Sequence, residues 1–160
     1  MAIFHAKPLL LLLISLFFFF AVGETDFQTC NTGHNYPVKV SDLKISPNPV
    51  KRSGSATITI TGYTSKDIPD GVTVTLKLSI MGAPVSRKTY SLCDMTACPV
   101  APGPLVLTLP NVLTESERRR SRGYISTISI TKKGQESLMC VVFGVKIRGY
   151  ASLLSQVTGW

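Results

Sequence analysis

The chain has 160 residues, of which 44% are hydrophobic and 16% are charged, and its formal net charge is +8 at neutral pH. This length is enough for one domain with a hydrophobic core. A positive charge can indicate nucleic-acid binding, but no array of aromatic residues accompanies the basic run, so we expect no nucleic-acid partner.

The N-terminus combines a basic residue with an apolar run. After Lys7 the sequence reads PLLLLLISLFFFFAVG and closes on the small residue Gly23. This arrangement is typical of a secretory signal peptide, so we predict a signal peptide over residues 1–23 and a single domain over 24–160. An uncleaved membrane anchor is the alternative, but the run is shorter than the ~20 apolar residues that span a bilayer.

Seven segments of the remaining chain alternate apolar and polar residues with a period of two, which is typical of strands with one buried face. They are 38–45, 55–62, 72–80, 85–92, 105–109, 124–131 and 137–147. Turn residues such as Pro69-Asp70-Gly71 separate them, and Gly134 is placed for a hairpin turn. Only residues 114–120 have the composition of a short helical turn. The pattern predicts an all-β fold, an immunoglobulin-like antiparallel sandwich of about seven strands.

The same alternation predicts which side chains point into the sandwich. Three segments give clear inward rows, which are Ile58 and Ile60; Val74, Leu76, Leu78 and Ile80; and Ile128 and Ile130. Their simplest interpretation is a close-packed core.

Four cysteines lie beyond the signal peptide, at positions 30, 93, 98 and 140, and an even number in an oxidising compartment indicates disulfides. Three pairings are open, and in one of them Cys93–Cys98 closes a small loop and leaves Cys30 for Cys140. A zinc site would need a second close pair of ligands, but His34 stands alone. A redox pair would have two intervening residues at a helix start, not four followed by proline. We therefore predict no metal site.

Catalytic motifs are missing from the sequence. His34 is the only histidine outside the signal peptide, and the acidic residues are few and scattered, mostly in turns. No phosphate-binding glycine loop, HExxH or G-x-S-x-G sequence occurs. We expect a binding protein with neither enzymatic activity nor a cofactor.

Four short motifs, in this order, resemble one known family. They are Phe27-x-x-Cys30, Met81-Gly82-Ala83-Pro84-Val85, Cys93-x4-Cys98-Pro99-Val100 and Ser137-Leu138-Met139-Cys140. Together they resemble the ML lipid-recognition family, which includes the sterol carrier of the Niemann–Pick type C pathway and the phosphatidylglycerol/phosphatidylinositol transfer proteins. The form CPVAPG is similar to the plant members. The resemblance implies a sandwich with an apolar cavity between its sheets and the disulfides Cys30–Cys140 and Cys93–Cys98.

The resemblance gives the inward rows a function, because a lipid of this family lies between the two sheets with its polar head at the rim. The predicted lining and mouth of the cavity are Ile58, Ile60, Leu76, Leu78, Ile80, Met81, Val85, Val112, Tyr124, Ile128, Ile130, Met139, Val141 and Phe143. Methionine suits an adaptable pocket because it is unbranched and polarisable. For each single residue, ordinary core packing is the alternative.

The sequence ESERRRSRG, residues 115–123, holds four arginines, Arg118, Arg119, Arg120 and Arg122. By the family's pattern this loop lies near the cavity mouth, so we predict that the arginines dock it transiently against anionic headgroups. A solvated charged loop is the alternative.

The sequence thus predicts a monomeric lipid-binding or lipid-transfer protein, located in the apoplast or in the lumen of a vacuole or endosome. The ligand would be a sterol or a phospholipid, held without chemical change. Two other functions remain open: an immunoglobulin-like protein-interaction module with a filled core, and a basic defence protein that acts on membranes.

Overall fold

The computed structural model describes residues 25–149. The predicted signal peptide, residues 1–23, and the last part of the predicted domain, residues 150–160, lie outside the described residues. Within the described range, no helix is long and apolar enough to cross a membrane.

Strands make up most of the described chain. In order they are β1 (Phe27–Thr29), β2 (Val38–Ser46), β3 (Thr57–Thr64), β4 (Val72–Ile80), β5 (Ala83–Ser91), β6 (Gly103–Leu109), β7 (Gly123–Lys132) and β8 (Ser137–Lys146). A 3-10 turn at Leu92–Asp94 follows β5, and a short helix, α1 (Glu115–Arg120), lies between β6 and β7.

The strands form two antiparallel sheets. One has five strands in the order β1-β8-β7-β4-β5, and the other has three in the order β2-β3-β6. The all-β prediction is confirmed, and each of the seven predicted segments contains a strand. The eighth strand, β1, was missed because its three residues, which pair with β8, are too few to show a period.

The interior lies between the sheets and is mostly apolar, with Ser126 of β7 as a buried polar residue. β-branched and leucine side chains alternate inward along β3, β4 and β7, as predicted, because each of these strands has one face against the opposite sheet. Ile58, Leu76 and Ile128 are fully buried, whereas Ile80, at the end of β4, is half-buried.

Both disulfides join the pairs that the family resemblance implies. Cys30–Cys140 ties the segment after β1 to β8, and Cys93–Cys98 closes the loop after β5. The carboxylate of Asp70 lies close to the sulfurs of the second bridge. Sulfurs in a disulfide are not thiolates, which is the form of cysteine that binds metal.

The connection between the two sheets at residues 110–122 is called the strap below. It leaves β6 of the smaller sheet, buries Val112 and Leu113, and enters β7 of the larger sheet. The amide of Val112 donates to the carbonyl of Ala56 at 3.0 Å. Within the strap, α1 confirms the helical turn predicted at 114–120.

Candidate functional site

The two sheets meet differently on their two sides. On one side β2 packs beside β8, near the Cys30–Cys140 bridge. On the other side the outermost strands are β5 and β6, and the strap leads from β6 toward β5. A ligand that enters between the sheets therefore meets the packing of β2 beside β8 on the first side and the strap on the second.

The inner row of β5 is polar, unlike the rows beside it. Ser86, Lys88 and Tyr90 face the same way as Leu78, Leu76 and Val74, their partners in β4. A lysine in the middle of an inner row is uncommon, because burying an ammonium group without a partner is costly.

The partners of Lys88 come from the strap. Its ammonium donates to the carbonyl oxygen of Val112 at 2.6 Å and to Oε2 of Glu117 at 2.8 Å. The two charged side chains are only 21% and 12% exposed. The same carboxylate oxygen accepts from the backbone amide of Thr114 at 2.6 Å and completes a capping box at the start of α1. Glu117 therefore both starts the helix and holds it against β5.

Glu117 is held in its ionised form. Burial alone would raise its pKa, but hydrogen bonds from Lys88, Ser86 and the backbone of Thr114, together with the charge of Lys88, lower that pKa to about 2. The pKa values of two nearby tyrosines, Tyr90 and Tyr124, shift upward instead. Burial and then the negative charge of Glu117 raise the pKa of Tyr90, and the same two causes outweigh Arg120 to raise that of Tyr124.

A second set of contacts fixes the other end of α1. The guanidinium of Arg52 donates to the carbonyl oxygens of Arg118 and Arg119, both at 3.1 Å, and to that of Arg148 at 3.2 Å. Arg118 in turn donates to the carbonyl oxygens of Arg52 at 3.0 Å and Leu113 at 2.6 Å. The two contacts with Arg118 and Arg119 satisfy carbonyls that the helix leaves unpaired at its C-terminus.

The four predicted docking arginines differ in their surroundings. Arg118 is half-buried and bonded to backbone carbonyls, whereas Arg119, Arg120 and Arg122 are exposed. Arg119 forms an exposed ion pair with Glu115 at 2.6 Å.

Positive charge is concentrated at the strap end of the sandwich. The cationic side chains there, from three segments, are Lys51, Arg52, Arg118, Arg119, Arg120, Arg122, Lys146 and Arg148. Within the strap, the carboxylates of Glu115 and Glu117 stand against four arginines, so cationic side chains outnumber acidic ones at this end. An open cleft of about 420 Å³ there is lined by Arg52, Ser53, Gly54, Glu115, Arg118 and Arg119.

Eleven of the fourteen residues predicted to line a cavity are buried together in the core. They are Ile58, Ile60, Leu76, Leu78, Val112, Tyr124, Ile128, Ile130, Met139, Val141 and Phe143. Ile80 packs against this core from its border. Met81 and Val85, at the β4–β5 turn, are 99% and 39% exposed, so they lie at the surface near the strap end.

A cavity of about 170 Å³ lies on the opposite side of the sandwich. Its walls come from β1, β2, β8 and the loop before β2, and are Thr29, Thr32, His34, Tyr36, Val38, Lys39, Val40, Met139, Cys140 and Val141. Sequence reasoning placed only Met139 and Val141 of this set at a binding site, because the walls are far apart along the chain.

Lys88, Glu117 and Arg52 were also missed as candidate site residues. One local signal was available, because Thr114-x-x-Glu117 is a capping-box sequence that marks Glu117 as a helix-start residue. The signal says nothing of Lys88, which reaches Glu117 only through the fold.

The profile of the ML domain matches residues 24–147 of this chain. The chain belongs to the ML family. The MD-2-related lipid-recognition protein ROSY1 of Arabidopsis thaliana is 61% identical to it over 159 residues, which is 99% of each chain. The predicted membership in this family of lipid-recognition proteins, with a plant relative, is therefore confirmed.

Two solved ML-type structures share the fold. The Niemann-Pick type C2 protein from the Japanese carpenter ant aligns with a TM-score of 0.55 and 17% identity, covering 77% of this chain and 99% of its own. Chicken MD-1, solved in complex with lipid IVa, aligns with a TM-score of 0.51 and 16% identity, covering 75% and 86%. At these identities the alignments support the immunoglobulin-like sandwich and no more.

Proposed function

We propose that this ML protein binds a lipid between its two sheets and carries it through the secretory pathway without changing it chemically. The observation that carries the proposal is the apolar interior, which the strap closes on one side with a polar pair, Lys88 and Glu117. The lipid-recognition name of the relative that is 61% identical, and the lipid bound by MD-1, support the same function.

The ligand would be a sterol or a phospholipid, and its apolar part would lie among the buried side chains predicted above as the lining. Leu76, Ile60 and Ile128 come from three strands and both sheets, so separating the sheets would expose all three to one ligand. Transfer from water to such a site contributes about 0.8 kcal/mol for each buried CH₂ group.

The mouth would lie between β5 and the strap. Here the polar residues Ser86, Lys88 and Tyr90 adjoin the apolar rows, which suits a molecule with an apolar body and a polar head. The exposed side chains of Met81 and Val85 lie at the same end and would contact the membrane from which the lipid comes.

Docking on an anionic membrane is part of this proposal. The strap end carries a cluster of positive charge, and Arg119, Arg120 and Arg122 are exposed to solvent. Each cation near such a surface contributes about 1 kcal/mol. Arg118 is already bonded to Arg52 and Leu113, so its contribution would be smaller.

The same proposal includes a signal peptide over 1–23, a lipid-binding domain over 24–160, a monomeric state and a location in the apoplast or in a vacuolar or endosomal lumen. Two disulfides, which persist in oxidising compartments, support the secretory location.

Native mass spectrometry of the purified protein, with and without solvent extraction, tests the proposal. We expect a bound lipid mass, and saturable displacement of a fluorescent sterol or phospholipid probe. The closely packed interior favours one other function, a protein-interaction module with a filled core. A protein that stays empty against a broad panel of lipids would support that module and refute the carrier.

A further inference from the structure

The strap contacts the inner face of the larger sheet at two strands. Lys88 of β5 bonds to Val112 and Glu117, and the hydroxyl of Tyr124, at the start of β7, donates to the carbonyl oxygen of Glu117 at 2.7 Å. Both of these side chains belong to inner rows of their strands. The strap therefore covers the space between the sheets at the β5 edge.

We propose that the Lys88–Glu117 ion pair is the latch that keeps the strap closed against β5, and that breaking it is the step that controls lipid exchange. This inference rests on the proposed lipid-carrier function. It assigns to Lys88 and Glu117 control over the rate of exchange, with no direct contact with the lipid required.

The position of β5 makes this edge the part of the sheet that can open. Among the described strands, β5 is an outer strand and pairs along its length only with β4. Its side-chain bonds to the strap converge on Glu117 and the neighbouring carbonyl of Val112. Loss of the Lys88 contacts would remove the ion pair between β5 and the strap and leave the hydrogen bond of Ser86, without breaking the ladder of the sheet.

The rest of the strap has anchors of its own. Arg52 and Arg118 tie its C-terminal half to the 50–54 loop, and Val112 is bonded through its amide to Ala56 of the smaller sheet. The strap would thus stay with the smaller sheet while β5 moves away. A gap on the β5 side would lead straight to Leu76 and Val74, which face inward beside Lys88 and Tyr90.

An ion pair suits a closure that must open repeatedly. Both charges lose hydration when the pair is buried and regain it when the pair separates. The free-energy difference between the open and closed forms is therefore smaller than it would be for an apolar contact of the same area. The pair is also directional, because the ammonium and carboxylate must meet in one geometry for the strap to close.

The test compares the single variants Lys88→Met and Glu117→Gln with the double variant. Methionine keeps the buried stem of the lysine, and glutamine keeps an oxygen that can accept from the amide of Thr114, so the helix start survives in both. We expect each single variant to release NBD-labelled phosphatidylglycerol to acceptor vesicles about tenfold faster than the natural protein. The double variant should be no faster than the single ones, because the same ion pair is lost in all three.

Two matched controls remove the same charges elsewhere. Glu136→Gln changes an exposed carboxylate in the β7–β8 turn, at the end of the sandwich opposite the strap, and Lys77→Met changes an exposed lysine on the neighbouring strand β4. Both should exchange lipid at the natural rate. Variant rates for Lys88→Met and Glu117→Gln that stay within about twofold of the controls would overturn the latch.

A measurement without lipid separates failure of the latch from failure of the carrier function. In both latch variants, amide hydrogen exchange in the freed edge strand β5, residues 83–91, should accelerate about tenfold, while that of the anchored strap, residues 112–118, and of β7 should not. Unchanged exchange in 83–91 would reject the latch even if the natural protein carries lipid. If the natural protein binds no lipid, the carrier function fails and control of lipid exchange fails with it, whatever the amides show.

Discussion

At the scale of single residues, Glu117 combines several hydrogen bonds with a strongly lowered pKa. Its carboxylate accepts hydrogen bonds from Lys88, from Ser86 and from the amide of Thr114. Its backbone carbonyl accepts a hydrogen bond from the hydroxyl of Tyr124. The hydroxyls of Tyr90 in β5 and Tyr124 in β7 both feel its negative charge. One residue thus links a helix start, an outer strand and the first residues of β7.

The low pKa of Glu117 makes part of the stability depend on pH. The group titrates at its ordinary value of 4.5 when unfolded and at about 2 when folded. Because the folded pKa is the lower one, its stabilisation is complete above about pH 4.5 and disappears as the pH falls toward 2. We expect a loss of roughly 1–2 kcal/mol across this window, after allowance for solvent screening at a partly exposed pair.

Urea unfolding of the natural protein and of Glu117→Gln, at several pH values between 6 and 2, measures this loss. The variant should be less stable at pH 6 and should lose less stability on acidification. Glu115→Gln, in its exposed ion pair, should follow the natural protein. Parallel pH profiles for the natural protein and Glu117→Gln would contradict the prediction.

At the scale of elements, α1 depends on residues outside itself at both ends. It has only six residues, too few to be stable alone. Its start is held by the capping box and by Lys88. Its end is held by Arg52, whose guanidinium donates to three carbonyl oxygens at once.

Removing those donors should loosen the strap end. We expect Arg52→Met, which keeps the apolar stem, to lower the free energy of unfolding by about 1–3 kcal/mol, because three carbonyls lose a charged donor. Arg122→Met, at an exposed position, is the control and should change stability by less than about 0.5 kcal/mol. Urea denaturation of both variants gives the two values, and equal losses would show that the contacts of Arg52 carry no special weight.

The strands could be predicted from sequence because alternation records which face is buried. β4 was predicted with its exact bounds, 72–80, since its inward residues are all aliphatic and its outward residues are mostly threonine or lysine.

The site was harder to predict than the strands. Lys88 breaks the apolar pattern of an inner row, and Arg118 looks like a surface residue although its partner, Arg52, lies 66 residues away in the sequence. Contacts of that range depend on the fold and leave no local pattern.

At the scale of the whole molecule, the positively charged side chains and the strap lie at the same end. The strap, the cleft beside it, the exposed Met81 and the cluster of cationic side chains share one end of the sandwich. The opposite end, with the β7–β8 turn, carries scattered charges such as Lys133. Approach to an anionic surface would therefore orient the molecule with the latch toward the membrane.

This asymmetry predicts that the position of a charge matters more than the total charge. We expect Arg120→Gln with Arg122→Gln to weaken binding to phosphatidylserine-rich vesicles roughly thirtyfold, at about 1 kcal/mol for each arginine near the surface. Lys66→Gln with Lys133→Gln removes the same charge from exposed positions at the opposite end and should weaken binding only a few-fold, because charges beyond about 10 Å from the surface are screened. Vesicle co-sedimentation at low and at physiological salt measures both pairs, and the difference between them should shrink as salt rises. Equal losses in the two double variants would show that net charge alone attracts the protein and that the strap end is not its docking surface.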